Sequence, residues 1–270
     1  MSRLLNFGCG DVFHPEWVNL DAVPASRELV AHDLRRRFPF PDASFDAVYG
    51  SHVLEHLKPS AAERLLHDCR RILRPGGIVR LAVPDLETIA RLYLQNLEGA
   101  LAGDLRAQQR YDWMMLELYD QAVRTCSGGR MGAWLRGAPS AAQAEFIAHR
   151  IGAHASSPAT GVARSMGLRQ AFTALRRRAA GLAAFLFLGT EGRASLREGL
   201  FRRSGEVHQW MYDRFSMQRA LQQAGFVEPG VRAADESAIP GFARYGLESV
   251  DGRPRKPDSL YVEARKPGGD

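Results

Sequence analysis

Short apolar runs, five to eight residues long and separated by polar or proline-containing segments, fill the first 85 residues. Runs of this length between turn-forming residues predict β-strands rather than helices. The predicted strands cover residues 3–7, 17–21, 28–34, 44–51 and 78–83. The connection between the first two strands has room for about one helical turn, which is short for a crossover between parallel strands.

The segment before the fifth predicted strand has the spacing of an amphipathic helix. Ser60 is its expected N-cap, with Glu63 three residues later as the partner in a capping box. The sequence Arg-Pro-Gly-Gly at residues 74–77 ends this helix. The apolar positions that recur along it are Leu65, Leu66, Cys69, Ile72 and Leu73. Strands that alternate with helices predict an α/β fold, with a mostly parallel sheet and helices on both faces.

The middle of the chain has a different pattern, dominated by long helical stretches. Residues 86–97 and 112–124 are predicted helices, whereas the glycine- and serine-rich residues 152–167 favour a loop. Residues 169–188 combine three consecutive arginines, Arg176 to Arg178, with an apolar run over 182–188. The middle segment therefore differs in kind from the strand-rich part before it.

The alternation of helix and strand returns after residue 206. Met217, Leu221 and Ala224 share one face of a predicted helix, and Gly225 ends it. Residues 226–233 and 259–264 are the sixth and seventh predicted strands. We therefore expect a core formed by residues 1–84 and 207–270, with residues 85–206 as a helical insertion before the last two strands.

Composition and charge narrow the class of protein only moderately. The chain has 270 residues, 45% of them apolar and 24% charged, as in ordinary globular proteins. A net charge of +6 and a pI near 9.5 favour anionic partners without the dense basic clusters of a dedicated nucleic-acid binder. Three widely spaced cysteines predict neither a disulfide framework nor a zinc site, and we expect no metal. Without a recognisable signal peptide or a membrane-length apolar run, a cytoplasmic, reduced protein is expected.

The most informative stretch is the apolar run of residues 4–7, which leads directly into Gly8-Cys9-Gly10. Glycine tolerates positive φ and has no Cβ, so such a turn lets the backbone approach a ligand closely. Open α/β folds bind their ligands at this edge of the sheet. Asp21, which ends the second predicted strand, is then placed to accept two ribose hydroxyls. An ordinary tight turn between strand and loop is the alternative interpretation.

Several segments together resemble the class I S-adenosylmethionine-dependent methyltransferases, and most closely the small-molecule branch of the type-11 methyltransferase domain. The most specific are Phe-Asp-Ala-Val-Tyr-Gly-Ser-His-Val-Leu-Glu-His-Leu at residues 45–57 and Arg-Ile-Leu-Arg-Pro-Gly-Gly at residues 71–77. The resemblance covers about residues 3–90 and 207–266. Residues 206–213 also resemble a subset of the family that is found beside sugar-handling enzymes.

The resemblance implies a Rossmann-like, seven-stranded sheet with a reversed last hairpin, and S-adenosyl-L-methionine bound over the ends of the first four strands. Asp21 would then bind the ribose hydroxyls, Asp33 the adenine amine, and Leu34 would pack beside the adenine ring. The expected cofactor-binding residues are Asn6, Phe7, Gly8, Cys9, Gly10, Asp21, Asp33, Leu34, Ser51 and His52. Asn6 and Val12 depart from the family, which often has an acidic residue and a third glycine at these two positions.

Four residues are candidates for a catalytic base, because a hydroxyl acceptor must lose its proton during methyl transfer. His52 and His56 lie one helical turn apart and are predicted to face the cleft together. His208 lies where the insertion rejoins the core, and Asp85 ends the fifth strand. Each of the four has a structural alternative. His52 would line the pocket only through its backbone, and His56 would cap a helix or lie on its surface. His208 would form a structural hydrogen bond between the lid and the core, and Asp85 would cap the next helix.

Two classes of function remain open from the sequence. In the first, the chain is a methyltransferase that modifies an oxygen or nitrogen of a small molecule or glycan-type acceptor, and the insertion is a lid with the acceptor pocket. In the second, it is a cofactor-binding module that docks a partner or a membrane surface through its basic insertion. A nucleic-acid methyltransferase is disfavoured, because an Asn/Asp-Pro-Pro-Tyr motif is missing. The oligomeric state stays open, and a homo-oligomer is allowed.

Overall fold

A computed structural model describes residues 2–24, 26, 28–137, 139–152 and 168–269. Its main feature is a seven-stranded sheet in the order β3-β2-β1-β4-β5-β9-β6. All neighbours pair in parallel except β9, which runs antiparallel to both β5 and β6. The strands are β1 Leu4–Phe7, β2 Val18–Asp21, β3 Val30–Ala31, β4 Phe45–Ser51, β5 Leu73–Pro84, β6 Val227–Arg232 and β9 Ser259–Arg265, and β7 Ser249–Val250 with β8 Arg253–Pro254 forms a separate hairpin. The predicted Rossmann-like fold with one reversed strand is thereby confirmed.

Seven described helices complete the fold. They are α1 Pro59–Ile72, α2 Leu86–Leu101, α3 Leu105–Val123, α4 Gly129–Arg136, α5 Ala141–Ile151, α6 Leu168–Arg202 and α7 Arg214–Gln223. Helices α2 to α6 lie between β5 and α7, where the sequence predicts a helical insertion. An isolated bridge between Asp85 and Tyr212 joins the two ends of this stretch. Most of the loop expected over residues 152–167 lies outside the described residues. No described helix combines the length and apolar character that a membrane crossing requires.

The start of α1 differs from the sequence prediction. The helix begins at Pro59 with Lys58 as N-cap, and this cap makes no side-chain hydrogen bond. The predicted Ser60–Glu63 capping box is therefore wrong. Proline is favoured in the first turn because its fixed φ suits a helix and its missing N–H would be unpaired there. The end of α1 also differs, since residues 74–77 already belong to β5.

The first crossover and the third strand are shorter than predicted. Residues 8–17, all of them described, form turns instead of a helix. Asn6 donates a hydrogen bond to the Val12 carbonyl over 3.1 Å, and Asn19 donates to the His14 carbonyl over 2.8 Å. These side chains hold the loop in place of helical hydrogen bonds. Strand β3 keeps only two residues of the predicted 28–34, so Asp33 and Leu34 follow the strand and do not belong to it.

The two faces of the sheet are covered by different kinds of structure. On one face, Leu5 and Val48 belong to a large core with Leu66 of α1 and Met217 of α7. On the other face, a second core contains Leu4, Trp17, Ala47, Tyr49, Ile78, Ile239, Phe242, Tyr245 and Leu247. Four of these residues come from the connection between β6 and β9, residues 233–258, which we call the β6–β9 segment. Its described helical structure is a single 3₁₀ turn, Phe242–Tyr245.

The insertion has a core of its own, built from Ile89, Trp113, Met114 and Ile147. Arg150 of α5 donates to Glu117 of α3 over 2.8 Å, and both side chains are almost completely buried. The insertion also bonds to the chain that follows it, because the His208 amide donates to the Gln121 carbonyl over 2.9 Å. Helices α2, α3 and α5 therefore form one packed unit at the carboxyl end of β5.

Candidate active site

A cleft of about 590 Å³ opens at the carboxyl ends of β1, β4 and β5. Three parts of the chain form its walls: the glycine turn after β1, the insertion helices and the β6–β9 segment. The lining residues are Asn6, Gly8, Cys9, Gly10, Asp11, Val12, Tyr49, Ser51, His52, Pro84, Gln121, Met131, Ile151, Leu247, Glu248, Arg255, Lys256, Asp258, Ser259 and Tyr261. This is the sheet edge at which open α/β folds bind ligands.

The glycine turn requires glycine at residue 8 and leaves open space at residue 10. Gly8 and Gly10 have φ values of +64° and +52°. A Cβ on Gly8 would lie 2.3 Å from Cγ2 of Val53, whereas a Cβ on Gly10 would meet nothing within 4 Å. The Gly8 amide donates to the Leu20 carbonyl over 2.7 Å, which fixes the turn against β2. The backbone at Gly10 is thus accessible to a ligand.

Asp21 lies beside this turn, and a second carboxylate, Asp33, follows the neighbouring strand β3. Asp21 accepts hydrogen bonds from the amides of Gly10, over 2.9 Å, and Val23, over 2.8 Å. The His32 amide donates to the Asp21 carbonyl over 2.9 Å, so the ends of β2 and β3 are adjacent. Asp33 pairs with Arg35 over 2.8 Å, and hydrogen bonds from Arg35 lower the pKa of Asp33 to about 2. The low pKa keeps Asp33 ionised at neutral pH.

Among the described residues, the cofactor positions divide into three groups. Gly8, Gly10, Ser51 and His52 line the cleft, with Asn6 and Cys9. Asp21, Asp33 and Leu34 do not line it, but Asp21 contacts Gly10 and a Leu34 methyl lies 3.4 Å from the Cβ position of Gly8. Phe7 is fully buried with its ring against Gly50, so it can offer a ligand only its backbone. Open backbone, two carboxyl side chains and an apolar side chain fit an adenosyl ligand.

His52 is the catalytic candidate that reaches the cleft. It directly follows β4 and has a left-handed φ of +54°. Its amide donates to the Ala82 carbonyl over 2.8 Å. Its Nε2 lies 2.8 Å from Oγ of Ser259, and its Nδ1 lies 3.1 Å from Oε1 of Glu55. Burial lowers the pKa of His52 to about 3, so the imidazole is neutral at physiological pH.

His56 and His208 do not line the cleft among its described residues, and the expectation that His52 and His56 face it together is wrong. Only a 3₁₀ turn, Leu54–His56, forms here, so the two histidines are not on one face of an α-helix. The rings of His56 and His208 instead contact each other edge to face, with centroids 4.7 Å apart. Burial lowers the pKa of both histidines.

Asp85 has the capping geometry that the sequence left as its alternative. It is the N-cap of α2, where its carboxylate accepts from the Glu87 amide over 3.1 Å and from the Thr88 hydroxyl. Its neighbour Pro84 lines the cleft, whereas Asp85 is not among the described lining residues. Its carboxylate is therefore already engaged by the helix that it starts.

The β6–β9 segment and the insertion supply cleft residues that sequence reasoning missed. Glu248 is buried, and burial raises its pKa to about 7 although Arg80 lies against it. Among the described atoms, Oε1 of Glu248 and the hydroxyl of Tyr49 are buried without a hydrogen-bond partner. The segment has no helical or strand periodicity, so only its tyrosine and charged residues could have drawn attention to it.

Known protein families and curated proteins match part of the chain. Residues 5–81 match the family model of a methyltransferase domain. A probable S-adenosylmethionine-dependent methyltransferase of Mycolicibacterium smegmatis is 36% identical over 61 residues, which cover 23% of each chain. One from Mycobacterium tuberculosis is 30% identical over 105 residues, covering 32% of this chain and 37% of the relative. The chain therefore spans about a quarter to just over a third of the length of these relatives.

Solved structures resemble the chain more distantly. An S-adenosylmethionine-dependent methyltransferase from Mesorhizobium loti is 15% identical, covers 98% of this chain and 90% of its own, and has a TM-score of 0.37. A structure from Archaeoglobus fulgidus is 11% identical, with coverages of 98% and 86% and a TM-score of 0.39. The fold assignment rests on the strand order and the reversed β9.

Proposed function

We propose that this chain, which belongs to the class I S-adenosylmethionine-dependent methyltransferases, transfers a methyl group to an oxygen or nitrogen of a small molecule or sugar-containing intermediate. Its cofactor is S-adenosyl-L-methionine. The observation that carries the proposal is the Gly8–Gly10 turn, whose accessible backbone borders both Asp21 and the cleft. Ribose and adenine are proposed to bind beside the turn, and the acceptor in the cleft.

The chemistry of the reaction asks for orientation more than for activation. The sulfonium of the cofactor supplies an already activated methyl group, so the protein has to align the acceptor with it. Orientation of this kind contributes about 7–11 kcal/mol in the best intramolecular reactions. The walls of the cleft, which include Met131 of the insertion and Tyr261 of β9, would restrict the position of the acceptor.

His52 is proposed to take the acceptor's proton at Nε2. Its ring lines the cleft and is neutral, and Glu55 beside Nδ1 would stabilise the imidazolium that forms. The Ser259 hydroxyl lies 2.8 Å from Nε2. An acceptor hydroxyl would take the place of this serine hydroxyl beside Nε2. A positioned base contributes about 10²–10⁴-fold to such reactions. His56, His208 and Asp85 lack this access among the described residues.

The insertion is proposed to be the lid that forms the acceptor pocket. Gln121 of α3, Met131 of α4 and Ile151 of α5 line the same cleft as the glycine turn. Three helices of the insertion thus contribute side chains of mixed polarity to one wall. In this proposal, residues 1–84 and 207–270 bind the cofactor and residues 85–206 form the acceptor pocket, so the domain boundaries lie near residues 84 and 207.

Calorimetric titration with S-adenosylhomocysteine and with NAD tests the cofactor site. Gly10→Ala would place a methyl group at the open face of the turn, and we expect binding of S-adenosylhomocysteine to weaken at least tenfold, about 1.4 kcal/mol. Gly76→Ala is the matched control, since Gly76 also has a positive φ, +75°, and open space around its Cβ position. Both variants carry similar backbone strain.

The titration distinguishes a cofactor-binding turn at Gly8–Gly10 from an ordinary tight turn between strand and loop. Binding that is normal in Gly76→Ala and weakened in Gly10→Ala supports the cofactor site. Binding of NAD without S-adenosylhomocysteine, or equal affinity of the two variants, would refute it. Thermal unfolding of both variants controls for a general loss of structure.

A second candidate function is docking on an anionic membrane surface through α6. This helix carries seven arginines and two glutamates, and therefore most of the net charge of the chain. Three consecutive apolar side chains on it are largely exposed, Leu186 at 70%, Phe187 at 85% and Leu188 at 70%. Basic residues next to exposed apolar ones are typical of helices that lie in the membrane interface.

A further inference from the structure

Three side chains capable of binding metal meet behind the wall of the cleft. Glu55, His56 and His208 each offer a ligand atom, and these atoms all lie within 4.8 Å of one another. The Glu55 side chain is completely buried, His208 is 6% exposed, and the His56 side chain is 26% exposed. The group combines residues up to 153 positions apart, two from the core before the insertion and one directly after it.

Four polar atoms of this cluster lack hydrogen-bond partners. Among the described residues, both carboxylate oxygens of Glu55 and the Nδ1 atoms of His56 and His208 are buried without one. Nδ1 of His52 lies 3.1 Å from Oε1 of Glu55, but its geometry does not make a hydrogen bond. A buried carboxylate and buried ring nitrogens without partners are costly unless another group satisfies them.

We propose that Glu55, His56 and His208 bind a divalent transition-metal ion of the Zn²⁺ type. Two imidazoles and one carboxylate are a ligand set that Zn²⁺ and Fe²⁺ accept, whereas Mg²⁺ and Ca²⁺ prefer oxygen ligands alone. Zinc ligands about 2.0–2.2 Å from the ion lie about 3.4 Å apart in a tetrahedron. The three ligand atoms, which lie within 4.8 Å of one another, would have to move closer together to reach that spacing.

The metal would fix the insertion to the core. The amide of Gln209 donates to the Glu55 carbonyl over 2.6 Å, so the backbone that follows His208 already lies against the 3₁₀ turn of residues 54–56. A cation would add a side-chain link at the same junction. The site is structural in this role, because His56 and His208 do not line the described part of the cleft. The proposal does not depend on the identity of the methyl acceptor or of the cofactor, although Glu55 also lies 3.1 Å from Nδ1 of His52.

Addition of Co²⁺ to the full-length, chelator-treated protein tests the site through visible absorption, which reports the ligand field directly. We expect binding of about one Co²⁺ per chain, displacement by Zn²⁺, and a rise in melting temperature of at least about 4 °C with Zn²⁺. His208→Gln and Glu55→Gln should each weaken Co²⁺ binding at least tenfold. His149→Gln, at an exposed position on α5, should bind Co²⁺ like the unmodified protein.

The unmodified chain keeps the test decisive even if a variant fails to fold. An absent Co²⁺ band in the unmodified protein, with no thermal shift by Zn²⁺, would overturn the proposal. So would stabilisation by Mg²⁺ alone, or Co²⁺ binding that His208→Gln leaves unchanged. Cofactor binding is measured separately, so failure of the metal site does not affect the test of the methyltransferase function.

Discussion

Cys9 lies between the two glycines of the cofactor turn, yet its thiol is unsuited to nucleophilic chemistry. Its side chain is 7% exposed, and burial together with the Asp21 carboxylate raises the pKa of Cys9 to about 11. The thiolate is the reactive form of cysteine, and it is scarce at neutral pH when the pKa is this high. Cys9 therefore packs the turn, as its small size between two glycines suggests.

The three cysteines should differ sharply in reactivity towards a thiol reagent at about pH 8, near the ordinary thiol pKa. Cys69 is completely buried, which also raises its pKa, whereas Cys126 is exposed. We expect one fast-reacting thiol in the native protein, counted with a chromogenic disulfide, and three after denaturation. The fast phase should disappear in Cys126→Ser. Any fast-reacting thiol that remains in that variant would contradict the burial of Cys9 and Cys69.

For single residues, the sequence predicted the contacts that form between neighbouring parts of the chain. Gly8, Gly10 and Asp21 belong to one short stretch, and their contact over 2.9 Å follows from the turn and the pairing of β1 with β2. The contact between His56 and His208 could not be predicted, because it depends on how the insertion returns to the core. Periodicity describes neighbours along an element and contains no information about that return path.

Arg80 connects three elements inside the protein. It lies on β5, is fully buried, and donates to Glu248 of the β6–β9 segment over 2.7 Å and to Glu263 of β9 over 2.8 Å. It also donates to the carbonyls of Ala233 and Ala234. The guanidinium thus pairs with two buried carboxylates and holds the segment that forms one wall of the cleft.

Removal of this guanidinium should destabilise the fold strongly. In Arg80→Met, Glu248 and Glu263 would stay buried without their partner, and we expect the free energy of unfolding to fall by about 3–5 kcal/mol. Arg74→Met is the control, because the Arg74–Asp46 pair is partly exposed and such pairs contribute about 0–1 kcal/mol. Urea denaturation measures both. Equal losses in the two variants would show that Arg80 is not the anchor of the segment.

The elements themselves were predicted with uneven success, for physical reasons. Strands β4 and β9 are bounded by clear changes in hydrophobic pattern, and their observed bounds agree to within one residue. Helix α7 ends at Gln223, two residues before the predicted stop at Gly225. The β6–β9 segment was not recognised as a wall of the cleft. Its buried residues, such as Trp17's partners Phe242 and Tyr245, are separated by irregular turns, so they show no period.

For the molecule as a whole, the distribution of charge is uneven. The net charge of the chain is +6, and α6 alone has five more arginines than acidic residues. The helix is interrupted at Gly189, which has a φ of +68°, directly after the exposed apolar run. The sequence predicted this combination of arginines and apolar residues from composition, whereas the exposure of the side chains became visible only in the structure.

Membrane docking through α6 predicts that the protein floats with vesicles that contain phosphatidylserine and much less with vesicles of phosphatidylcholine alone. Each arginine near an anionic surface contributes about 1 kcal/mol, and apolar side chains add insertion into the interface. The double variant Leu186→Glu, Phe187→Glu should lose flotation. Leu101→Glu, Leu105→Glu is the matched control, because it makes the same change at two residues that are 75% and 71% exposed elsewhere on the surface. If both double variants float equally, or if high salt leaves flotation unchanged, α6 is not the membrane contact and its arginines serve only the solubility of the chain.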